Sequence, residues 1–229
     1  MLLDIDLKIT FLTPFSVGTG AMGETATNKP TIRDARHHPI IPGSAFKGRL
    51  RHTCEGLVRS LLNADNAVCH APVPDTSCPL DPAWLGQYCP VCRLFGSPRR
   101  PASLYFTDLR WQDNTLAAPS LIRTGVSINR RRHAAEPLRL YDLEAVDALD
   151  IVYQGRISGH LNEAEGQALV ALLLGSLRTL TTLGGGRGSG LGRCHIEAQT
   201  RVDQRLVKEA WQRDGLLRLQ KGGVDLWRS

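Results

Sequence analysis

The sequence lacks the apolar segments that a membrane protein needs. It contains no uninterrupted run of about 18 apolar residues, which is the length that spans a bilayer. Its first residues, MLLDIDLKITFL, are too charged and too short in their apolar run for a secretory signal peptide. We therefore expect a cytoplasmic protein that does not associate with membranes.

Two common nucleotide-binding motifs are also missing. A Walker loop ends in Lys-Ser or Lys-Thr, and no lysine of this chain is followed by either residue. A dinucleotide fingerprint places its glycines after a strand and before a helix. The glycine-rich run at 183–193, LGGGRGSGLGR, instead follows a helical pattern and precedes a strand pattern. Both nucleotide loops are excluded, and an extended polyphosphate remains as the anion.

Aromatic residues are scarce, at 6% of 229 residues, so we expect base stacking to contribute little to any nucleic-acid binding. The formal charge is +6, which favours an anionic partner. In the glycine-rich run, Gly185, Gly186 and Gly188 carry no Cβ, so their backbone amides could approach a phosphate beside Arg187 and Arg193. A flexible linker is the alternative, but arginine at the centre is atypical of one.

The hydrophobic periodicity predicts an α+β protein. Residues 2–12 alternate as a half-buried strand, and an amphipathic helix follows from an N-cap at Ser44 to about Leu62. Strand patterns at 103–110 and 148–159 precede a long helix at 163–183, a strand at 194–200 and a helical segment at 202–211. Without its insertions, this order of strand, helix, two strands, helix and strand is the ferredoxin-like plan.

Five of the six cysteines fall between residues 54 and 92. Cys89 and Cys92 form a Cys-x-x-Cys pair, and Cys69 and Cys78 lie in the same irregular insertion, with His70 as a substitute ligand. Four such ligands suit a closed tetrahedral zinc site, so we predict structural Zn²⁺. Cys54 and Cys194 lie in a helix and a strand pattern, where a buried cysteine acts as a small apolar residue.

Four segments, in this order, resemble the backbone subunits of class 1 CRISPR effector complexes in the RAMP superfamily, most of all the type III kind. They are PIIPGSAFKGRLR at 39–51, CPVCRLFGS at 89–97, TGVSINRRRHAAEPLRLYDLE at 124–144 and GGGRGSGLG at 184–192. The resemblance implies one modified RNA-recognition-motif domain at 1–200. It also implies a zinc-binding insertion at 63–98, a β-hairpin thumb at 112–147 and a C-terminal helix and tail at 201–229.

The resemblance further implies a subunit that polymerises along a guide RNA (crRNA) and presents it to target RNA. Its partners would be further copies of itself, other effector subunits and a separate nuclease, as in type VII systems. The RNA-binding residues expected from the helix, the thumb and the glycine-rich run are Ser44, Lys47, Arg49, Arg51, Arg123, Arg130, Arg131, Arg132, Gly185, Gly186, Arg187, Gly188 and Arg193. We expect the glycine-rich run to face Ser44, Lys47 and Arg51 across one groove, although Lys47 and Arg51 could also form a solvated helix face.

The position of the catalytic aspartate of many type III subunits is occupied here by Asn28. An asparagine takes up no proton and brings no negative charge to a metal ion, so the sequence predicts a subunit that does not cleave. Three alternatives stay open: an active ribonuclease that uses Asp34 or Glu24, a repeat-RNA processing endonuclease, and a zinc-containing protein interaction module that binds no RNA.

Overall fold

The computed structural model describes residues 1–20, 29–71, 73–111, 119–147 and 151–222. It is a mixed α/β structure with two antiparallel sheets. The strands are β1 (Leu2–Phe11), β2 (Leu104–Phe106), β3 (Arg110–Trp111), β4 (Ser120–Asn129), β5 (Ala134–Val146), β6 (Val152–His160), β7 (Cys194–Val202) and β8 (Arg205–Leu206). The helices are α1 (Gly43–Leu62), α2 (Pro90–Phe95), α3 (Glu163–Thr179) and α4 (Glu209–Gly222).

Strand β1 is the centre of the larger sheet, whose order is β2-β6-β1-β7-β8, with β3 also paired to β6. It pairs antiparallel with β6 on one edge and with β7 on the other. Alternate residues of β1, Leu3, Ile5, Leu7 and Ile9, are at most 2% exposed and lie in the core. The alternation predicted at 2–12 is therefore confirmed, because a strand buried on one face needs apolar residues at every second position.

The opposite face of this sheet is polar. Asp6 of β1 forms two ion pairs. Its Oδ2 lies 2.7 Å from Arg201 Nη1, and its Oδ1 lies 2.9 Å from Arg156 Nη2. The hydrogen bond from Arg201 is the main reason that the pKa of Asp6 lies below its ordinary value. This face therefore carries paired charges, where a base-stacking platform would carry aromatic rings.

Helix α1 begins two residues earlier than predicted. Pro42 occupies the N-cap position, and Ser44 lies exposed within the first turn without a capping bond. The predicted N-cap at Ser44 is wrong, because Asp108 performs that function from the segment between β2 and β3. Its carboxylate accepts a hydrogen bond from the Gly43 amide at 3.0 Å. A Cβ at Gly43 would meet the Phe106 carbonyl oxygen at 2.5 Å, so only glycine lets the helix start this close to β2.

Helix α3 packs between α1 and α4. It ends at Thr179, four residues before the predicted end, because Leu180 adopts an extended conformation. Its predicted apolar stripe is buried, and each buried leucine contributes about 1.5 to 3 kcal/mol. The stripe consists of Leu169, Leu172, Leu173, Leu177 and Leu180.

Two further boundaries differ from the prediction. The strand expected at 103–110 is divided into β2 and β3, separated by Thr107, Asp108 and Leu109. The helix expected at 202–211 is a short antiparallel turn from β7 into β8, and α4 starts only at Glu209. A helical pattern of a few residues cannot be told from a strand and turn without knowing what covers it.

No helix among the described residues combines the length and the apolar character of a membrane span.

Strands β4 and β5 form a separate two-stranded hairpin, which we call the thumb hairpin. A register shift between Val126 and Ile128 marks a bulge near its tip. Most of its residues are exposed on both faces, so its own core does not hold it in place. Its root is fixed by Glu144, which accepts hydrogen bonds from Arg33 at 2.7 Å and from the Thr31 amide at 2.8 Å.

We predict that Glu144→Gln loosens the thumb root. Burial alone would raise the pKa of Glu144, but the donors around it, the Thr31 amide first and then Arg33, hold the pKa below the ordinary value of 4.5. A lowered carboxyl pKa stabilises the folded root above about pH 4.5, and this contribution is lost as pH falls through the lower folded value. Backbone amides at the root should exchange about tenfold faster in the variant at neutral pH. Hydrogen exchange followed by mass spectrometry measures this.

The matched control is Glu136→Gln, because Glu136 lies on the same hairpin far from its root and pairs with the exposed Arg132. Root exchange should be unchanged in this control. Equal exchange at the root in both variants would contradict the anchoring role of Glu144.

Candidate metal centre and nucleic-acid interface

The four cysteines predicted as ligands lie together. The Sγ atoms of Cys69, Cys78, Cys89 and Cys92 all lie within 4.8 Å of one another, and each residue is buried. Cys69 Sγ is 3.5 Å from Cys92 Sγ and 3.8 Å from Cys89 Sγ. Sulfur atoms in a tetrahedral site with metal–sulfur bonds of about 2.3 Å are about 3.8 Å apart. The cluster therefore has the size and the donor set of a four-thiolate metal site.

Donors around the cluster also suit thiolates. The Cys89 amide donates to Cys78 Sγ at 3.2 Å, and Arg51 Nη2 donates to Cys92 Sγ at 3.5 Å. Without an ion, hydrogen bonds among the four sulfurs lower the pKa of Cys69, first through Cys78, and raise the pKa values of Cys78, Cys89 and Cys92, first through Cys69. Such N–H and guanidinium donors around the sulfurs stabilise the charge of a metal-bound thiolate.

The other candidate ligands lie elsewhere. The His70 ring faces Asp81, with Nδ1 3.4 Å from Oδ2, and its side chain is 65% exposed. Cys54 and Cys194 are buried outside the cluster, and burial raises the pKa of each thiol to about 12. The prediction that these two cysteines act as small apolar residues fits their place in the core.

The glycine-rich run is a folded loop, not a flexible linker. Four of its glycines, Gly184, Gly186, Gly190 and Gly192, have φ between +65° and +89°. A Cβ at Gly192 would lie 1.9 Å from the Leu183 carbonyl oxygen, and one at Gly184 would lie 2.4 Å from that of Ser16. Glycine is required at both positions, because the loop packs back to back against neighbouring backbone.

Of the three glycine amides that the sequence suggested were bare, only that of Gly185 donates to a backbone carbonyl. Gly192 donates to the Pro14 carbonyl at 2.8 Å, and Gly185 donates to that of Ser16 at 2.7 Å. Among the described residues, the amides of Gly186, Arg187 and Gly188 have no backbone acceptor. Gly186 is left-handed, and a short right-handed turn follows it. A left-handed residue followed by right-handed ones is the backbone conformation of an anion-binding nest. This nest comprises residues 186–188 and leaves out Gly185, which the sequence analysis had included.

The glycine loop and α1 form the two walls of a cleft of about 440 Å³, which we call the glycine-loop cleft. The basic residues that line it are Arg49 and His52 on α1 and Arg187 on the loop, and no described residue that lines it is acidic. Arg49 donates to the Thr182 carbonyl and hydroxyl, both at 3.3 Å. Burial, and then the nearby charge of Arg187, lower the pKa of the Arg49 guanidinium. Two cations held together without an acid are the electrostatic arrangement of an anion site.

The predicted single groove is wrong in its membership. Lys47 and Arg51 lie on the other side of α1 from the glycine loop, and the exposed Ser44 does not line the glycine-loop cleft. Arg49 takes their place, because residues two positions apart on a helix point in different directions. His52 and Arg49 could have been found by following the helix in steps of three and four from Ala45.

Lys47 and Arg51 line a second cleft of about 570 Å³, which we call the cluster-side cleft. Its other wall comprises residues 95–98 and 100–102, next to the cysteines, and includes Arg100, which the sequence analysis missed. Burial, and then the charge of Arg51, lower the pKa of Lys47. Arg51 is already engaged with Glu55, Gly96 and Cys92, so the structure favours a structural role for it over the predicted RNA contact.

The arginines of the thumb hairpin are exposed. Arg123, Arg130 and Arg131 form no ion pair with a described residue, whereas Arg132 pairs with Glu136 at 3.0 Å. Large apolar side chains are also exposed on this hairpin, which the sequence analysis missed. They are Ile122, Val126, Ile128, Leu138 and Leu140. The even spacing of the apolar residues at 122, 126 and 128 could have indicated an apolar strand face, but the segment was considered only for its arginines.

The candidate catalytic residues divide into two groups. Asn28 and Glu24 lie outside the described residues. Asp34 is described, and its Oδ1 accepts from the amides of Arg36 and His38 at 2.9 Å. The His38 bond is the first cause of a lowered pKa at Asp34, and Arg110 lies 3.7 Å from its other oxygen. Asp34 therefore has the bonds of a turn residue.

Comparisons with known proteins identify a family and a similar fold. A model of the RAMP superfamily matches residues 8–195. No curated protein sequence matches the chain. A chain of the cryo-EM structure of the type III-B Cmr-beta bound to cognate target RNA superposes with a TM-score of 0.58 at 17% identity. The match covers 86% of this chain and 60% of that chain, so this chain spans about three fifths of its length.

We predict that Cys92→Ser removes the bound metal, because a four-thiolate site that loses one ligand no longer closes around the ion. Elemental analysis of the purified full chain should give about one metal ion per chain in the parent and much less in the variant. Cys54→Ser and Cys194→Ser are matched controls, since neither cysteine belongs to the cluster. Full metal content in Cys92→Ser would contradict the site.

Proposed function

Because the chain belongs to the RAMP superfamily, we propose that it is a crRNA-binding backbone subunit of a CRISPR-Cas effector complex and does not itself cleave. The observation that carries this proposal is the glycine-loop cleft, where Arg49 and Arg187 face each other without an acidic residue among the described lining. Such a cleft suits the phosphates of an RNA backbone. Contacts of this kind hold a strand without reading its sequence, as a subunit that must accept any guide requires.

We assign a ferredoxin-like, modified RNA-recognition-motif core to residues 1–200. The support is the strand order β2-β6-β1-β7, in which every neighbouring pair is antiparallel and two crossover connections contain α1 and α3. The insertions at 63–98 and 112–147 then interrupt this core, and residues 201–229 follow it. Strands β4 and β5 lie within the second insertion and provide the thumb.

We assign Zn²⁺ to the four-cysteine cluster. Four thiolates with tetrahedral spacing favour zinc among the common protein metals. Cys69, Cys78, Cys89 and Cys92 would hold the ion and close the first insertion on itself. The ion supplies no chemistry to the RNA and stabilises the fold around α2.

The partners follow from the exposed surfaces. The basic tip of the thumb hairpin suits RNA, and the apolar side chains near it, such as Val126 and Leu140, suit a protein surface. We propose that the thumb contacts guide RNA paired with target RNA, and also the next copy of this chain in a filament. Other effector subunits, including a separate nuclease, would complete the complex.

Two catalytic alternatives have less support. An active ribonuclease through Asp34 conflicts with the hydrogen bonds and the ion pair that occupy both of its carboxylate oxygens. A repeat-RNA processing endonuclease relies on histidine or tyrosine chemistry, and among the described residues that line the glycine-loop cleft His52 is the one histidine and none is a tyrosine. Both remain outcomes of the experiments below.

We predict that Arg187→Met and Arg49→Met each weaken the binding of single-stranded RNA about tenfold. Each removes one charge that faces phosphate, so the slope of log affinity against log salt should fall by about 0.7 per residue. Fluorescence anisotropy of a labelled oligouridine over a range of salt concentrations measures both quantities.

Arg213→Met is the control, because Arg213 is exposed on α4 and lines neither basic cleft. Its affinity and salt slope should match the parent. Absence of RNA binding by the parent would favour the protein interaction module.

We predict that the parent chain, assembled on guide RNA, leaves a matching target RNA intact. Asn28→Asp returns the carboxylate that the family uses, so this variant should gain cleavage at regular intervals. Gel analysis of labelled target RNA distinguishes the two chains. Regular cleavage by the parent would refute the scaffold role, and its loss in Asp34→Asn would then identify Asp34 as the active carboxylate.

A further inference from the structure

We propose that metal occupancy of the four-cysteine cluster sets the affinity of the cluster-side cleft for an RNA phosphodiester, and that Arg51 transmits this effect. The inference rests on the proposed function, because its ligand is the guide-RNA backbone. It assigns a regulatory consequence to a metal site that would otherwise only stabilise an insertion.

Arg51 connects three elements through one planar group. Its Nη2 donates to Cys92 Sγ at 3.5 Å, its Nη1 donates to the Gly96 carbonyl at 2.8 Å, and its Nε donates to Glu55 at 3.0 Å. A guanidinium presents its donors in a fixed fork, so these distances depend on one another. Movement of the Cys92 sulfur therefore changes the position of the Gly96 carbonyl relative to α1.

The segment that begins at Gly96 is rigid and carries Arg100. Gly96 has a φ of +85°, and a Cβ there would meet the Ala102 amide at 2.8 Å. Ser97 and Arg100 exchange two backbone hydrogen bonds, of 2.8 and 3.1 Å. The Arg100 guanidinium lies 5.1 Å from the centre of the Tyr88 ring.

Both attachments of this segment lead to the metal ligands. Gly96 directly follows α2, which contains Cys92, and Tyr88 directly precedes Cys89. The place of Arg100 in the cleft is thus defined by the two residues of the Cys-x-x-Cys pair. A bound ion would hold these two cysteines at fixed separation, and with them the position of Arg100.

The charges of the cleft favour a phosphodiester. Lys47 and Arg100 line it and form no ion pair with a described residue, while Glu55, its one described acid, is paired with Arg51. The half-buried Lys47 ammonium lies 6.0 Å from the centre of the Phe106 ring. Two uncompensated cations across one cleft can bind the same phosphate group, provided that their separation is maintained.

Arg51 is a positioning residue in this scheme, since its donors face protein groups. If metal occupancy favours phosphate binding, RNA must favour metal binding by the same factor, because two equilibria of one protein are thermodynamically linked. This reciprocal effect is a readout that a merely structural arginine would leave unchanged.

The test uses the full chain, Zn²⁺, labelled oligouridine and a chromogenic zinc chelator. We expect saturating RNA to raise the affinity for Zn²⁺ about five- to tenfold in the parent, which lies within the usual range of coupling between sites. In Arg51→Met, zinc and RNA should both still bind, but the ratio of zinc affinities with and without RNA should fall to about one.

A second pair of variants keeps the proposal testable if Arg51→Met fails to fold. Arg100→Met should retain the metal, lower RNA affinity about tenfold and reduce the coupling. Arg99→Met is its matched control, because Arg99 lies on the same turn and outside the lining of the cleft, and it should behave as the parent does.

Three outcomes separate the hypotheses. Equal zinc affinity with and without RNA in the parent, or equal behaviour of Arg100→Met and Arg99→Met, would overturn the inference. RNA binding that depends on Arg187 but responds to neither Arg100→Met nor zinc removal would overturn it and leave the proposed function intact. Absence of RNA binding under all conditions would refute the proposed function itself.

Discussion

Residues 12–16, which follow strand β1, hold the glycine loop in place through backbone hydrogen bonds. The glycine-loop cleft depends on this contact, because the loop is one of its two walls. The Leu12 amide donates to the Arg193 carbonyl, Gly192 donates to Pro14, and Gly185 donates to Ser16. These bonds tie the connection between α3 and β7 to the centre of the sheet. Without them, the loop would be the linker that its composition suggests, and Arg187 would have no fixed position opposite α1.

Helix α1 separates two basic clefts and determines which residues each one receives. Arg49 faces the glycine loop, while Lys47 faces the residues beside the cysteine cluster. An α-helix turns 100° per residue, so two basic residues that are two positions apart, such as Lys47 and Arg49, point to opposite sides of the helix. The same helix supplies Arg51, whose bond to Cys92 joins the cluster-side cleft to the four-cysteine cluster. The described geometry thus connects two features that are far apart in sequence.

Much of the core and the four-cysteine cluster could be predicted from the sequence. Alternation in β1, the leucine stripe of α3 and the Cys89-Pro-Val-Cys92 spacing are local patterns with one dominant physical explanation. The helix start and the composition of the clefts could not be predicted. The α1 amides are capped by Asp108, which lies 65 residues away, and no local pattern reports such a partner. The exposure of the apolar residues on the thumb hairpin could not be predicted either, because it depends on whether another part of the fold packs against the hairpin.

The sequence by itself determined the central strand, the two long helices α1 and α3, which four cysteines lie together and which family the chain resembles. These properties follow from residue types and from spacings of a few positions. Only the tertiary structure decided which amides of the glycine loop remain bare, which arginines are already engaged and which basic residues share a cleft. Hydrogen bonds and ion pairs between distant segments decide such questions, because they determine how many donors of each group remain available to a ligand.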